Sequence, residues 1–159
     1  MKKAFLVLAT VLSFAALANA QPKSVGVRIG WGIDLSYENY VNRGNDFLEF
    51  ELGLDGSSRR WGDGFHLDGI YNFMIAQPDW TSVGNWAFYG GPGASVAVWD
   101  GEKDDNIVYA GILGNLGLEY TFDFPLSLSL DVRPRIMFGD GDIRENGIFN
   151  FGLGIRYAF

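Results

Sequence analysis

Ten ionisable side chains recur at every second position along this sequence and carry most of the chemistry it could offer. They are Arg28, Asp34, Glu49, Glu51, Asp68, Glu119, Asp131, Arg133, Arg135 and Arg156. Charges of both signs on one face support either a set of mutual ion pairs or the lining of a selective pore. His66, the sole histidine, stands two residues before Asp68, so in an extended strand both point the same way. That pair suggests a general base with its orienting carboxylate, or a metal ligand. Nucleophilic catalysis also needs a serine in a defined setting, and neither G-x-S-x-G nor His-x-x-His is present. The expectation is therefore no catalytic residue, no metal and no cofactor, with His66 hydrogen-bonded in an interior. The acidic stretches Asp100–Asn106 and Gly139–Asp142 are rich in oxygen ligands but lack the full spacing of a calcium loop. Arg59 and Arg60, beside Trp61, are candidates for contact with phosphate groups or form a solvated loop pair.

The elements that must position these charges are strands. From Val25 onward the hydrophobic period is two, in seven segments: Val25–Tyr37, Asn45–Leu54, Phe65–Ile75, Trp86–Trp99, Ile107–Phe122, Leu126–Phe138 and Ile148–Phe159. In each, large apolar residues alternate with charged, small or polar ones. Leu48, Phe50, Leu52 and Leu54 oppose Glu49, Glu51 and Gly53, for instance, and Leu128, Leu130 and Val132 oppose Ser129, Asp131 and Arg133. The segments exceed the usual soluble strand of about 5–6 residues and suit tilted membrane strands of about 9–11 residues with overhang. Polar turns separate them at Asn42–Asp46, Asp55–Gly64, Asp100–Asn106, Asp123–Pro125 and Gly139–Gly147.

This distribution decides which face is inside. Ten ionisable groups cannot line a dry core without partners, but they can line a closed barrel, pairing with one another while the apolar face meets hydrocarbon. Closure also removes the unpaired strand edges that lipid penalises. Tyr37, Trp86, Trp99, Tyr120, Phe122, Phe138, Tyr157 and Phe159 fall near segment ends, where interfacial aromatic girdles lie. The predicted fold is all-β: a closed, antiparallel, up-and-down transmembrane β-barrel of about eight strands, seven of them directly readable.

The first 20 residues read as a secretory signal peptide. Lys2 and Lys3 precede an apolar run from Ala4 to Ala18, and Ala18-Asn19-Ala20 fits the small-x-small cleavage rule. One barrel domain then occupies 21–159. The chain contains no cysteine, so it has no disulfide framework and no lipoprotein anchor. The whole chain carries −7, and losing Lys2 and Lys3 makes the remainder more acidic. That balance argues against nucleic acid as a partner, since phosphate neutralisation needs a basic surface.

The C-terminal strand carries a resemblance. Phe151, Leu153, Ile155, Tyr157 and Phe159 place apolar or aromatic residues at alternate positions and end the chain on an aromatic. This resembles the C-terminal signal of bacterial outer-membrane proteins, and the Phe88-Tyr89-Gly90-Gly91-Pro92-Gly93-Ala94 stretch resembles the glycine-rich central strand of small OmpA/OmpX-like barrels. The resemblance covers nearly all of 25–159. It implies location in the outer membrane of a Gram-negative envelope, contact with lipid and lipopolysaccharide, and recognition of the last strand by the barrel assembly machinery. It implies no activity.

Strand number is the open point, because single-chain bacterial barrels have even counts starting at eight. Gly90-Gly91-Pro92-Gly93 is a candidate turn that would divide the fourth segment into Thr81–Tyr89 and Ala94–Asp100 and supply the eighth strand. Counting back from an inward-running last strand puts Gly139–Gly147 and Asp100–Asn106 outside and Asp123–Pro125 in the periplasm. Eight strands leave room for little beyond side chains, so the interior charges are expected to form a stabilising network. Arg28 is expected to meet Glu49 or Glu51, and the last three arginines to meet Asp131, Glu119 or Asp34. The functional expectation is a structural or surface-interaction barrel without turnover, the alternatives being a lipid-modifying enzyme using His66 or a narrow pore.

Overall fold

The computed structural model describes residues 22–55, 64–100, 106–139, 142–145 and 150–159. The leader, the sequence around Arg59, Arg60 and Trp61, and most of the two acidic loops lie outside these described residues.

The strands are β1 (Lys23–Ile29), β2 (Ile33–Val41), β3 (Asp46–Asp55), β4 (Gly64–Ala76), β5 (Asn85–Asp100), β6 (Asn106–Thr121), β7 (Leu126–Val132), β8 (Arg135–Gly139), β9 (Asp142–Glu145) and β10 (Phe151–Ala158). All pairings are antiparallel; from β1 through β7 consecutive strands pair, β6 pairs also with β8, and β8 with β9. β10 pairs with both β7 and β1, which closes the sheet. β7 and β8 are two halves of one strand interrupted at Arg133–Pro134, where proline has no N–H to offer the ladder. β9 and β10 are likewise two parts of the last strand. The result is a closed antiparallel barrel of eight strands, the expected number, although the alternation alone shows seven.

The eighth strand comes from a different place than Gly90–Gly93. That stretch runs without a turn inside the 16-residue β5. The first segment divides instead: β1 and β2 form a hairpin around Gly30-Trp31-Gly32, with Ile29 opposite Ile33 and Arg28 opposite Asp34. The Gly30 N–H donates to the Gly32 carbonyl at 3.0 Å. A three-residue connection leaves odd-numbered residues facing outward on both arms, so the alternation passes through the turn undisturbed. A second correction concerns Gly139–Gly147, read as one turn. It contains β9, which pairs Asp142–Glu145 with Ile136–Gly139.

The strands are staggered, as barrel closure requires. Following partners round the wall leads from Gly26 through Ser36, Glu51, Asp68, Ser95, Gly111 and Met137 to Arg144, whereas the partner of Gly26 across the closing seam is Arg156, much further along the last strand. Both ends of the described chain meet at one end of the barrel, where Lys23 and Phe159 exchange backbone hydrogen bonds of 3.2 and 2.8 Å. The turns at 42–45, 77–84 and 122–125 share this terminus end, and the hairpin at Gly30–Gly32 lies at the opposite, loop end.

The faces divide as predicted. The outer wall exposes Val27, Leu35, Leu52, Leu67, Val96, Ile112, Leu130 and Ile155 among many others. All ten predicted charges are buried on the inner face. A chain of aromatics runs along the terminus end: Trp80 packs on Trp86 and Phe88, Trp86 on Tyr120, Tyr120 on Phe122, and Phe122 on Phe124, with centroid separations of 4.7–5.5 Å, while Trp31, Phe65 and Phe138 stand exposed at the loop end. The side chain of Trp99 lies outside the described residues.

Candidate functional site

The barrel interior holds the site residues, and the alternation places them there. On β1, β2 and β10 the even-numbered residues point inward; on β5, β6, β7 and β8 the odd-numbered ones do. The inward row thus receives one arginine from β1, one from β10 and two from the β7–β8 strand, facing carboxylates from β2, β3, β4, β6 and β7.

Glu49 is the hub. Its Oε1 accepts from Arg133 Nη2 at 2.9 Å, from Arg156 Nη2 at 2.5 Å and from Ser36 Oγ at 3.1 Å, and its Oε2 accepts from Asn72 Nδ2 at 3.1 Å. Arg133 also donates through Nη1 to Glu51, lies 3.2 Å from Asp131, and donates through Nε to Asn115 Oδ1 at 3.1 Å. Arg156 spreads over Ser36, Ser129 and Glu38, at 3.0, 2.6 and 3.0 Å, and lies 3.8 Å from Glu119. Toward the loop end, Arg28 holds Asp131 with Nε and Nη2 at 2.9 and 2.6 Å and Asp34 with Nη1 at 3.1 Å. Arg135 donates to Asp68. Most arginines thus serve several acceptors at once, the arrangement that lets buried charges offset their desolvation.

The pairing differs in part from the sequence expectation. Arg28 meets Asp34 and Asp131 rather than Glu49 or Glu51. Arg133 and Arg156 do reach Asp131 and Glu119, but their tightest partners are Glu51 and Glu49. Partner choice depends on the stagger, which the alternation does not encode.

His66 is 3% exposed, with Nε2 3.5 Å from Asp34 Oδ1 and 3.7 Å from Asp68 Oδ2. It therefore belongs to the loop-end half of the same network. Gly53 on β3 makes this approach possible, because a Cβ there would overlap Asp34 Oδ1 and the His66 ring.

Sequence reasoning missed Glu38, which is fully buried and accepts from Ser24 Oγ at 2.5 Å. The first segment was ended at Tyr37, although the alternation Ser36, Glu38, Tyr40 continues past it. Asn72, Asn115 and Ser129 are further buried polar residues of the interior. Inward apolar residues were also missed. Phe47 and Tyr89 stack edge-on at 5.1 Å, with Tyr40 against Phe47 at 5.3 Å, toward the terminus end. Ala97, Tyr109 and Met137 form a buried cluster toward the loop end. Apolar side chains thus accompany the charged network toward both ends of the barrel.

Chemically this arrangement pairs each of Arg28, Arg133, Arg135 and Arg156 with at least one carboxylate and fixes those side chains in place. No protein-family model, curated protein or solved structure matches the chain.

Proposed function

We propose that this protein is a small outer-membrane barrel of the OmpA/OmpX-like kind, with a structural or surface-interaction role and no turnover. The observation that carries the reading is the inversion of polarity: arginines and carboxylates fill the inside while Leu, Ile, Val and Phe cover the outside. A barrel in water gains stability from the opposite distribution, whereas one in hydrocarbon requires this one. The leader ending near Ala20 supports export, and the exposed Phe151, Leu153, Ile155, Tyr157 and Phe159 on β10 support recognition by the barrel assembly machinery. Lipid and lipopolysaccharide are then the surrounding partners, and the terminus end is periplasmic.

Membrane fractionation with heat-modifiable gel migration tests the location. The reading predicts an outer-membrane fraction and a faster-migrating folded band; a soluble periplasmic product would overturn it. Planar-bilayer recording tests the filled interior, with no steady conductance expected, because the buried charge network and the buried Phe47, Tyr89, Tyr109 and Met137 share the inside of an eight-stranded barrel. Open-channel steps in the wild type would favour the pore. Lipid extracts from cells expressing wild type or His66→Ala are expected to match; a modified lipid lost only in the variant would favour the enzyme.

A further inference from the structure

The outer wall carries a groove of about 350 Å³ between β6, the β7–β8 break and the start of β10. Gly91, Gly114, Leu116, Val132, Pro134 and Phe151 bound it. Its origin is local. Pro134 interrupts the strand, and Gly114 across from it projects no side chain. The Gly114 N–H donates to the Pro134 carbonyl at 3.0 Å, and the Arg133 N–H to the Asn150 carbonyl at 3.0 Å, so the wall stays joined through its backbone while its outer surface sinks. A Cβ on Gly114 would meet only Pro134 Cγ, at the ordinary contact distance of 3.6 Å. Leu116 and Phe151, both well exposed, stand as rims.

We propose that this groove seats one hydrocarbon chain of a membrane lipid, an inference that rests on the outer wall facing lipid. The lining selects the occupant. Its one polar side chain, Asn115, is already committed: Nδ2 donates to Asn72 Oδ1 at 2.9 Å, and Oδ1 accepts from Arg133 Nε at 3.1 Å. A polar ligand entering here would lose its bonds to water with nothing in exchange. An alkyl chain has none to lose and gains dispersion contacts along the groove. The groove also opens onto the apolar wall beside Ile112, Leu130, Ile136 and Leu153, so a chain can enter from the surrounding hydrocarbon without crossing a polar rim. A lipid held in this way contacts the barrel where the β7–β8 strand is interrupted.

The test places the full-length mature barrel in phospholipid vesicles doped with a phosphatidylcholine that carries a diazirine on one acyl chain. After irradiation, adducts are mapped by mass spectrometry. Adducts are expected at Leu116, Phe151 and the half-buried Val132 at several times the level found at Leu35, Leu52 and Leu67, which are exposed on the smooth wall. Gly114→Leu fills the groove and is expected to remove that excess while leaving Leu35, Leu52 and Leu67 unchanged. If that variant fails to fold, Phe151→Ala, which removes one rim, is expected to lower the Leu116 adducts. Labelling that is even round the wall, or an excess that survives both substitutions, overturns the proposal. Native mass spectrometry of the same sample addresses a second copy as occupant; a dimer abolished by Gly114→Leu also overturns it. Absence of adducts everywhere on the wall would instead defeat the lipid-facing reading.

Discussion

Arg133 and Glu51 are hydrogen-bonded across the full width of the barrel. Arg133 lies at the break between β7 and β8 and Glu51 on β3, and the route round the sheet is equally long in either direction. The two are 82 residues apart in sequence. This bond, with that from Arg133 to Glu49, ties opposite walls together, a cross-brace that backbone pairing alone cannot supply.

Removing one partner of such a braced pair leaves a buried charge uncompensated. Arg133→Ala is expected to cost about 3–5 kcal/mol in urea unfolding of the refolded barrel. Glu51→Gln is expected to cost less, because Arg133 keeps Glu49 and Asp131. The double variant should lose less than the two singles combined, by about 0.5–3 kcal/mol, as residues sharing one network do. Strict additivity would mean that the bond contributes nothing.

Two glycines on the wall should respond oppositely to alanine. Gly53→Ala drives a methyl into Asp34 and His66 and is expected to destabilise by about 1–3 kcal/mol, the cost of overpacking. Gly114→Ala meets only an ordinary contact and is expected to be neutral or to stabilise by about 0.4–1 kcal/mol through a less free unfolded chain. His66→Ala should recover part of the Gly53→Ala loss, since the imidazole is one of the two groups the methyl strikes, Asp34 being the other. Equal effects at both glycines in thermal melts would contradict the close approach at Gly53.

The faces of the barrel were legible because strand alternation has a period of two and the inside is charged. All ten predicted charges turned inward on that basis. The connections were less legible, for a reason of parity. Between β2 and β3 the outward positions change from odd at Ile33 to even at Leu54, and that change exposes the turn. At Gly30–Gly32 the parity is preserved, so two strands read as one. Pro134 was read through because Val132 and Ile136 keep the same face on either side of it. Ion-pair partners were the least legible. Arg133 finds Glu51 through the stagger and closure of the sheet, and neither is written in any single segment. Phe47, Ile70 and Leu113 point inward although they are apolar, and Ile70 stands beside Glu49 and Leu113 beside Arg135, so charge inside and apolar outside is a rule with exceptions within the network itself.

Protection against hydrogen exchange should follow the pairing. β5 and β6 share an uninterrupted ladder from Asn85–Thr121 to Asp100–Asn106 and are expected to exchange last. β9 pairs with β8 over four residues and, among the described residues, has no second neighbour in the sheet. Amides of β8 and β9 are therefore expected to exchange well before those of β5 and β6, because short ladders open locally at low free energy. Mass-resolved exchange of the folded barrel checks the order. Protection of Asp142–Glu145 equal to that of β6 would mean that a further strand or segment covers that edge.

The aromatic chain at the terminus end makes a prediction about depth. Trp80 leaves the turn at 77–84 and packs on Trp86 and Phe88, while Trp86 continues the chain to Tyr120. Tyr120 donates its O–H to the Val83 carbonyl at 2.9 Å, which pins that turn to the wall. Rings with an apolar body and a polar tip favour the boundary between hydrocarbon and headgroups. A variant retaining Trp80 as its only tryptophan should therefore be quenched more by lipids brominated near the headgroup than by lipids brominated near the chain terminus. Trp80→Ala should cost about 0.5–1.5 kcal/mol beyond the loss of buried area, the worth of an aromatic pair. Tyr120→Phe should cost about 1 kcal/mol, the net worth of one hydrogen bond. Quenching that is strongest from the chain terminus would place this end of the barrel in the bilayer centre and overturn the assignment of the girdle.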